Sequence, residues 1–145
     1  MMATVQERNV ALVLKMYEEV WNRGNLPFID EAVSEAFVDH PPKRFFAVPT
    51  RGRASLHEAA TAFRGAMPDM HDQMIRVVAE GDKVIYLGRI TGTHTKPFFE
   101  FPPSGNAVNV LGINEFRLED GAIVERWGIF DVLSMMQQMN VVPKA

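Results

Sequence analysis

Up to Pro68 the apolar positions of the chain recur at helical spacing; beyond it they alternate. Val10, Val13, Leu14, Tyr17, Val20 and Trp21 follow one another at steps of mostly three and four residues, the apolar stripe of an amphipathic helix. Thr4 and Glu7 form a T-x-x-E capping box ahead of it, and Arg23 and Gly24 suit its last turn and its end. Asn25 followed by Pro27 predicts a second, short helix through about Val33. Residues 37–50, FVDHPPKRFFAVPT, read as extended and proline-interrupted. A second capping box, Ser55 with Glu58, predicts a third helix with Leu56, Ala59, Ala60, Phe63 and Met67 on one side, closed by Gly65 and Pro68.

MHDQMIRVVAE and KVIYLGRITGTHT then read as two antiparallel strands joined at Gly81-Asp82. A loop, KPFFEFPPSGN, leads to AVNVLGINEFRL; Asp120-Gly121 is a tight-hairpin signal, AIVERWGIFD the last strand, and VLSMMQQM a final helical turn or two. Helices followed by a meander of long strands define an α+β domain. Gly88, Gly92, Gly112 and Gly128 inside strands indicate bending or bulges. A sheet curved around three helices encloses an interior suited to a small ligand.

The 145 residues suit one domain, 1–145, with 47% hydrophobic and 23% charged residues. A net charge of −3 without a basic block argues against nucleic-acid and anionic-membrane partners. There is no cysteine, which excludes disulfides and thiolate chemistry and fits a reducing cytoplasm; no apolar run reaches membrane-spanning length. A cytoplasmic protein is the expectation. The four histidines are far apart in sequence with no ligand spacing, so no metal site is expected, and no serine lies in a G-x-S-x-G elbow. His57 is expected to face solvent, and His71 and His94 to lie at strand ends or on the surface. The clustered Met135, Met136 and Met139 suit core filling or a lid over a pocket.

The stretch 124-VERWGIFDVL-133 carries the candidate chemistry. In a strand Glu125, Trp127, Ile129 and Asp131 share one face. Asp131 is then either a carboxylate beside an apolar wall of Trp127 and Ile129, or the N-cap of the following turn. His40, before Pro41-Pro42, either faces a pocket or bonds backbone. Tyr17 and Trp21 belong to the core or line the cavity, and Tyr86 needs a hydrogen-bond partner if buried.

FVDH, PDM, AEGDKV, GTHT, PPSGNAV and LEDGAIVERWGIFD occur in an order that resembles the SnoaL-like polyketide cyclases, or ester cyclases, of the NTF2-like superfamily, over roughly Val10 to Met139. The resemblance implies a cone: a strongly curved antiparallel or mixed sheet closed by three N-terminal helices around a central cavity. It implies Asp131, after Trp127, as the catalytic acid/base and His40 as its companion, with Asn114 a cavity-facing polar residue; Arg126 stands where the family often carries histidine. It further implies an oligomer, and the uncovered sheet face makes a homodimer or larger homo-oligomer the expectation.

An aldol-type cyclisation needs one carbon acid deprotonated and one carbonyl protonated, and no cofactor when two carbonyls flank the carbon. The expected substrate is a small apolar carbonyl compound held by Trp127, Asn114, Ile129, Tyr86, Tyr17 and Trp21, with Asp131 and His40 catalytic and the reaction a cyclase, isomerase or hydrolase step. The alternative is a non-catalytic NTF2-like module that binds a small ligand or dimerises.

Overall fold

The computed structural model describes residues 2–42 and 50–144. Part of the extended segment expected over 37–50, residues 43–49, lies outside the described residues. Thr4 caps α1 (Val5–Met16), its Oγ1 accepting from the Glu7 N–H at 3.1 Å. The helix continues into a π-helical turn, Tyr17–Asn22. α2 (Phe28–Ala32) follows and ends where β1 (Val33–His40) begins. FVDH, read as extended, is the second half of that strand: β1 pairs in parallel with the last strand, and that ladder takes the chain over from Val33. α3 spans Ala54–Ala66. The Ser55–Glu58 box does not form. The helix starts a residue earlier, Ser55 is buried in its first turn, and the preceding Arg53 bonds back to the Val33 and Asp30 carbonyls.

The strands are β2 (His71–Glu80), β3 (Lys83–Thr93), β4 (Ala107–Glu119) and β5 (Ala122–Phe130), followed by α4 (Val132–Gln138). Their order in the sheet is β1-β5-β4-β3-β2, with all pairs antiparallel except β1/β5. The sheet is curved and open, with β1 and β2 as its edges.

Alternation divides the sheet into two unlike faces. The inner face sends Val84, Tyr86, Ile90, Val110, Phe116 and Ile123 into a core completed by Val13, Met16, Ile29, Phe63 and the C-terminal Met135, Met136 and Met139. Burying each large apolar side chain stabilises the fold by about 1.5–3 kcal/mol. The outer face has no helix over it among the described residues, and Leu111, Ile113, Trp127 and Ile129 are exposed there. Among those residues no helix is long and apolar enough to cross a membrane.

Candidate active site

The strand reading of VERWGIFD holds, but the face that meets the cavity is the other one. Arg126, Gly128 and Phe130 line the cavity. Trp127 is 55% exposed and Ile129 66% exposed; Ile129 borders the cavity at the strand, where its carbonyl oxygen passes near Gly112. Asp131 is exposed and caps α4: its carboxylate accepts from the Ser134 N–H at 3.1 Å and from the Ser134 hydroxyl at 2.7 Å. Those two bonds hold it below the usual carboxylate range. His40 shares the outer face with Trp127, the rings stacked at 3.6 Å, and its Nε2 lies 3.0 Å from Glu125 Oε2. The enclosed apolar pocket expected around Asp131, His40 and Trp127 is not formed there. The reason is phase: Arg126 must face inward to reach the buried Asp39, and its strand neighbours therefore face out.

The cavity is roofed by Trp21 and Phe63, walled by Met70, Ile90 and Phe130, and rimmed by Pro41, Pro42 and Phe99. Its volume is about 70 Å³.

Five polar side chains reach the cavity, and three had been expected elsewhere or not at all. Asp72, only 7% exposed, accepts from the Tyr86 hydroxyl at 3.0 Å. Burial pushes its carboxyl up to about 6 against the opposing effect of that bond. The Tyr86 ring stacks on Tyr17 at 3.6 Å between centroids. The Tyr17 hydroxyl accepts from Asn114 Nδ2 at 2.8 Å, and burial, with the Asp72 charge nearby, raises its pKa well above the ordinary value. Tyr17 therefore stays protonated, with its own O–H left to donate. Arg126 bonds Asp39 through two nitrogens, Nε to Oδ1 at 2.8 Å and Nη2 to Oδ2 at 2.9 Å. Asp39 is 1% exposed. The planar fork fixes the guanidinium against the cavity wall.

Two glycines make room for these groups. A Cβ on Gly88 would stand 2.3 Å from Asp72 Oδ1 and 2.5 Å from the Tyr86 ring. A Cβ on Gly128 would stand 2.5 Å from Asn114 Oδ1. The in-strand glycines read as bends thus also recess the polar floor of the site.

Tyr17, Trp21, Tyr86 and Asn114 all contribute to this site or its hydrogen bonds; Asp131, His40 and Trp127 do not. The sequence reading missed Asp72, Asp39 and, as a site group, Arg126. Counting from the hairpin pair Glu80–Lys83 places Gln73 opposite Ile90, but a bulge between Met74 and Arg76 puts Asp72 there instead. One extra residue flips the carboxylate from the outer to the inner face. Of the other histidines, His57 is half-buried and lies 3.0 Å from Asp30 Oδ1, and His94 is fully buried with Nδ1 2.9 Å from Ser104 Oγ. His57 departs from the solvent-facing position expected; His94, directly after the last residue of β3, lies at a strand end as expected but is buried. Among the described residues no three His, Asp or Glu side chains converge as a metal would require.

Residues 11–139 match the SnoaL-like polyketide cyclase family, and the chain belongs to it. It is similar in structure to a proposed SnoaL-like polyketide cyclase of Jannaschia sp. CCS1, with 26% identity, 99% of each chain covered and a TM-score of 0.85. A proposed polyketide cyclase of Bacillus cereus ATCC 10987 is 27% identical over 97% of this chain and 87% of its own, with a TM-score of 0.80. IdmH of Streptomyces antibioticus, also a proposed polyketide cyclase, is 28% identical over 92% of this chain and 99% of its own, with a TM-score of 0.78. No protein with a curated description matches the chain.

Proposed function

We propose that the protein is an acid/base catalyst, needing no cofactor, for an aldol-type cyclisation or related isomerisation of a small apolar carbonyl compound, and that Asp72 moves the proton. The observation that carries this is a buried carboxylate beside Tyr86, Tyr17, Asn114 and Arg126 in a cavity otherwise walled by apolar and aromatic side chains. A carboxyl titrating near 6 is mostly ionised at neutral pH and a better base than an exposed one. It takes a proton from a carbon next to the carbonyl, and the electron pair moves onto the oxygen. The Tyr17 hydroxyl and the Arg126 guanidinium donate to that enolate, with Asn114 and Asp39 orienting them. The enolate carbon attacks a second carbonyl, and the protonated Asp72 returns its proton to the new alkoxide. The similarity to proposed polyketide cyclases supports the carbon–carbon step.

The test is deuterium exchange from D2O into a panel of 1,3-dicarbonyl compounds, followed by NMR. Wild type is expected to accelerate exchange in at least one, and Asp72→Asn to remove about 10²–10⁴-fold of it. Ligand binding with no exchange in the wild type would favour the non-catalytic module, and exchange untouched by Asp72→Asn would remove Asp72 from the role.

We also propose a homodimer through the outer sheet face. Leu87, Ile113 and Ile129 are direct cross-strand neighbours, with Leu111 and Trp127 beside them. This apolar centre is flanked by paired polar groups, Arg89 with Asn109 and Arg117 with Glu125. A two-fold rotation about that row lays apolar on apolar and keeps both rims in water.

A further inference from the structure

The Asp72 carboxylate sits on an edge strand, where nothing in the sheet holds its outward backbone groups. β2 pairs with β3 on one side only. On the other side the Asp72 N–H donates to Asn22 Oδ1 at 2.7 Å, and Asn22 Nδ2 donates to the Asp72 carbonyl at 3.1 Å. A carboxamide carries the same donor and acceptor as a peptide group, so Asn22 acts as a one-residue strand placed opposite Asp72 alone.

Asn22 is the last residue of the π-helical turn that also carries Tyr17 and Trp21 into the cavity. The wider π turn, bonded i to i+5 as in Arg23 N–H to the Glu18 carbonyl at 3.0 Å, lets six residues supply a hydroxyl, an aromatic roof and an edge clamp. The clamp is itself fixed. Arg64 Nη1 from α3 donates to the Trp21 carbonyl at 2.6 Å and the Asn22 carbonyl at 3.2 Å, and reaches the Met70 carbonyl, just before β2, at 3.4 Å. Glu18 Oε2 accepts a second bond from Asn22 Nδ2 at 3.3 Å.

We infer that Asn22 is a positioning residue for Asp72: it closes the sheet edge at that residue, keeps water from the carboxylate's backbone and holds the carboxylate over Gly88 against Tyr86. This rests on the proposed role of Asp72 for its catalytic meaning, but the clamp is measurable without a substrate. The titratable and charged groups facing Asp72 are Tyr86 from β3, Tyr17 from the π turn and, across the cavity, Arg126 from β5, with Glu18 behind the Asn22 amide.

The experiment compares wild type, Asn22→Ala and Asn22→Asp by NMR, following amide exchange at residue 72 and the ¹³C titration of the Asp72 carboxyl. In Asn22→Ala the residue 72 amide is expected to exchange at least about tenfold faster while the core amide of Val84 is unchanged. The carboxyl midpoint is expected to fall by about one unit as water reaches it. In Asn22→Asp the acceptor for the residue 72 N–H remains, so that amide stays protected, and the new negative charge moves the midpoint up instead. Carbon-acid exchange at neutral pH is expected to fall about tenfold in Asn22→Ala with half-saturation changed less than about twofold. A general loss of stability with the residue 72 midpoint unmoved in both variants would overturn the inference and leave Asn22 a structural contact. Should Asn22→Ala not fold, the upward shift in Asn22→Asp decides. Should the wild type exchange no substrate, the two NMR readouts still decide the clamp, and only the function assigned to Asp72 falls.

Discussion

The two faces of one sheet treat the same chemical group in opposite ways. On the inner face Asp72 is buried, meets one hydroxyl and titrates near 6. At the outer end of β5 Asp131 is bathed in water, receives two bonds from Ser134 and titrates below the ordinary range. Both stand at the end of a strand. What separates them is phase: alternation sends Arg126, Gly128 and Phe130 inward and Trp127, Ile129 and Asp131 outward, and a bulge in β2 turns Asp72 inward. What sets the two carboxyls apart is desolvation, not residue type.

The sharpest break of that comparison is Asp72→Asn. Beyond its loss of catalysis it should make the protein more stable at neutral pH. The folded carboxyl titrates at about 6 and the ordinary value is 3.8, a difference near two units, or roughly 3 kcal/mol. Its folded pKa is raised, so the folded state binds the extra proton, and stability is lost as pH rises from about 4 to about 6. Denaturant melts across pH 4–8 should show the wild type losing stability over that window relative to Asp72→Asn. Parallel curves would mean that the carboxylate is better hydrated than its burial indicates.

Breaking the other buried carboxylate should do the reverse. Asp39→Asn leaves the Arg126 guanidinium, 13% exposed in its side chain, without its bidentate partner. Removing one member of a buried pair costs about 3–5 kcal/mol. Chemical denaturation at pH 7 measures it, and a change under 1 kcal/mol would mean that water reaches the pair. Gly88→Ala tests the same floor from below. The added methyl displaces the Asp72 carboxylate from Tyr86, so exchange activity should fall about as far as in Asp72→Asn, with the titration of residue 72 moved.

Most of the fold could be read from the chain because its signals are local and repeated. The Thr4 cap, the alternation through β3 and β4, and the Asp120-Gly121 hairpin each sit within a few residues of what they specify. The first half of β1 and its place in the sheet could not, because Val33–His40 becomes a strand only through a parallel partner far along the sequence. The site was legible where side chains need no register, as for Tyr17 and Trp21 on a helix stripe and Asn114 and Tyr86 on regular strands. It was not legible at Asp72, whose face is decided by one bulged residue, nor on β5, where the inward face is chosen by the Asp39–Arg126 pair across two strands.

The outer face sharpens the comparison in a different currency, assembly. Ile113→Lys places a charge in the middle of the Leu87–Ile113–Ile129 row, where the wild-type side chain is already 39% exposed in the isolated chain. Folding of the monomer should change by less than about 0.5 kcal/mol. Sedimentation should show the wild type as a dimer and the variant as a monomer. A wild type that sediments as a monomer at all concentrations would leave this face bare and remove the proposed homodimer.

The smallest effect is expected where the sequence pointed most strongly. Asp131→Asn keeps an oxygen for the Ser134 N–H and should leave the melting temperature almost unchanged, while Asp131→Ala removes the cap of α4 and should lower it slightly. Asp131 is held below the ordinary carboxylate pKa, so its contribution is present at neutral pH and is lost as pH falls through that lowered value. The stability gap between wild type and Asp131→Ala should therefore narrow in acid, opposite in sign to the effect at Asp72. Carbon-acid exchange should be unchanged in both variants, since the carboxylate faces away from the cavity. If Asp131→Asn abolished exchange while its melt stayed intact, the outer face would hold the chemistry and Asp72 would be its buried structural counterpart.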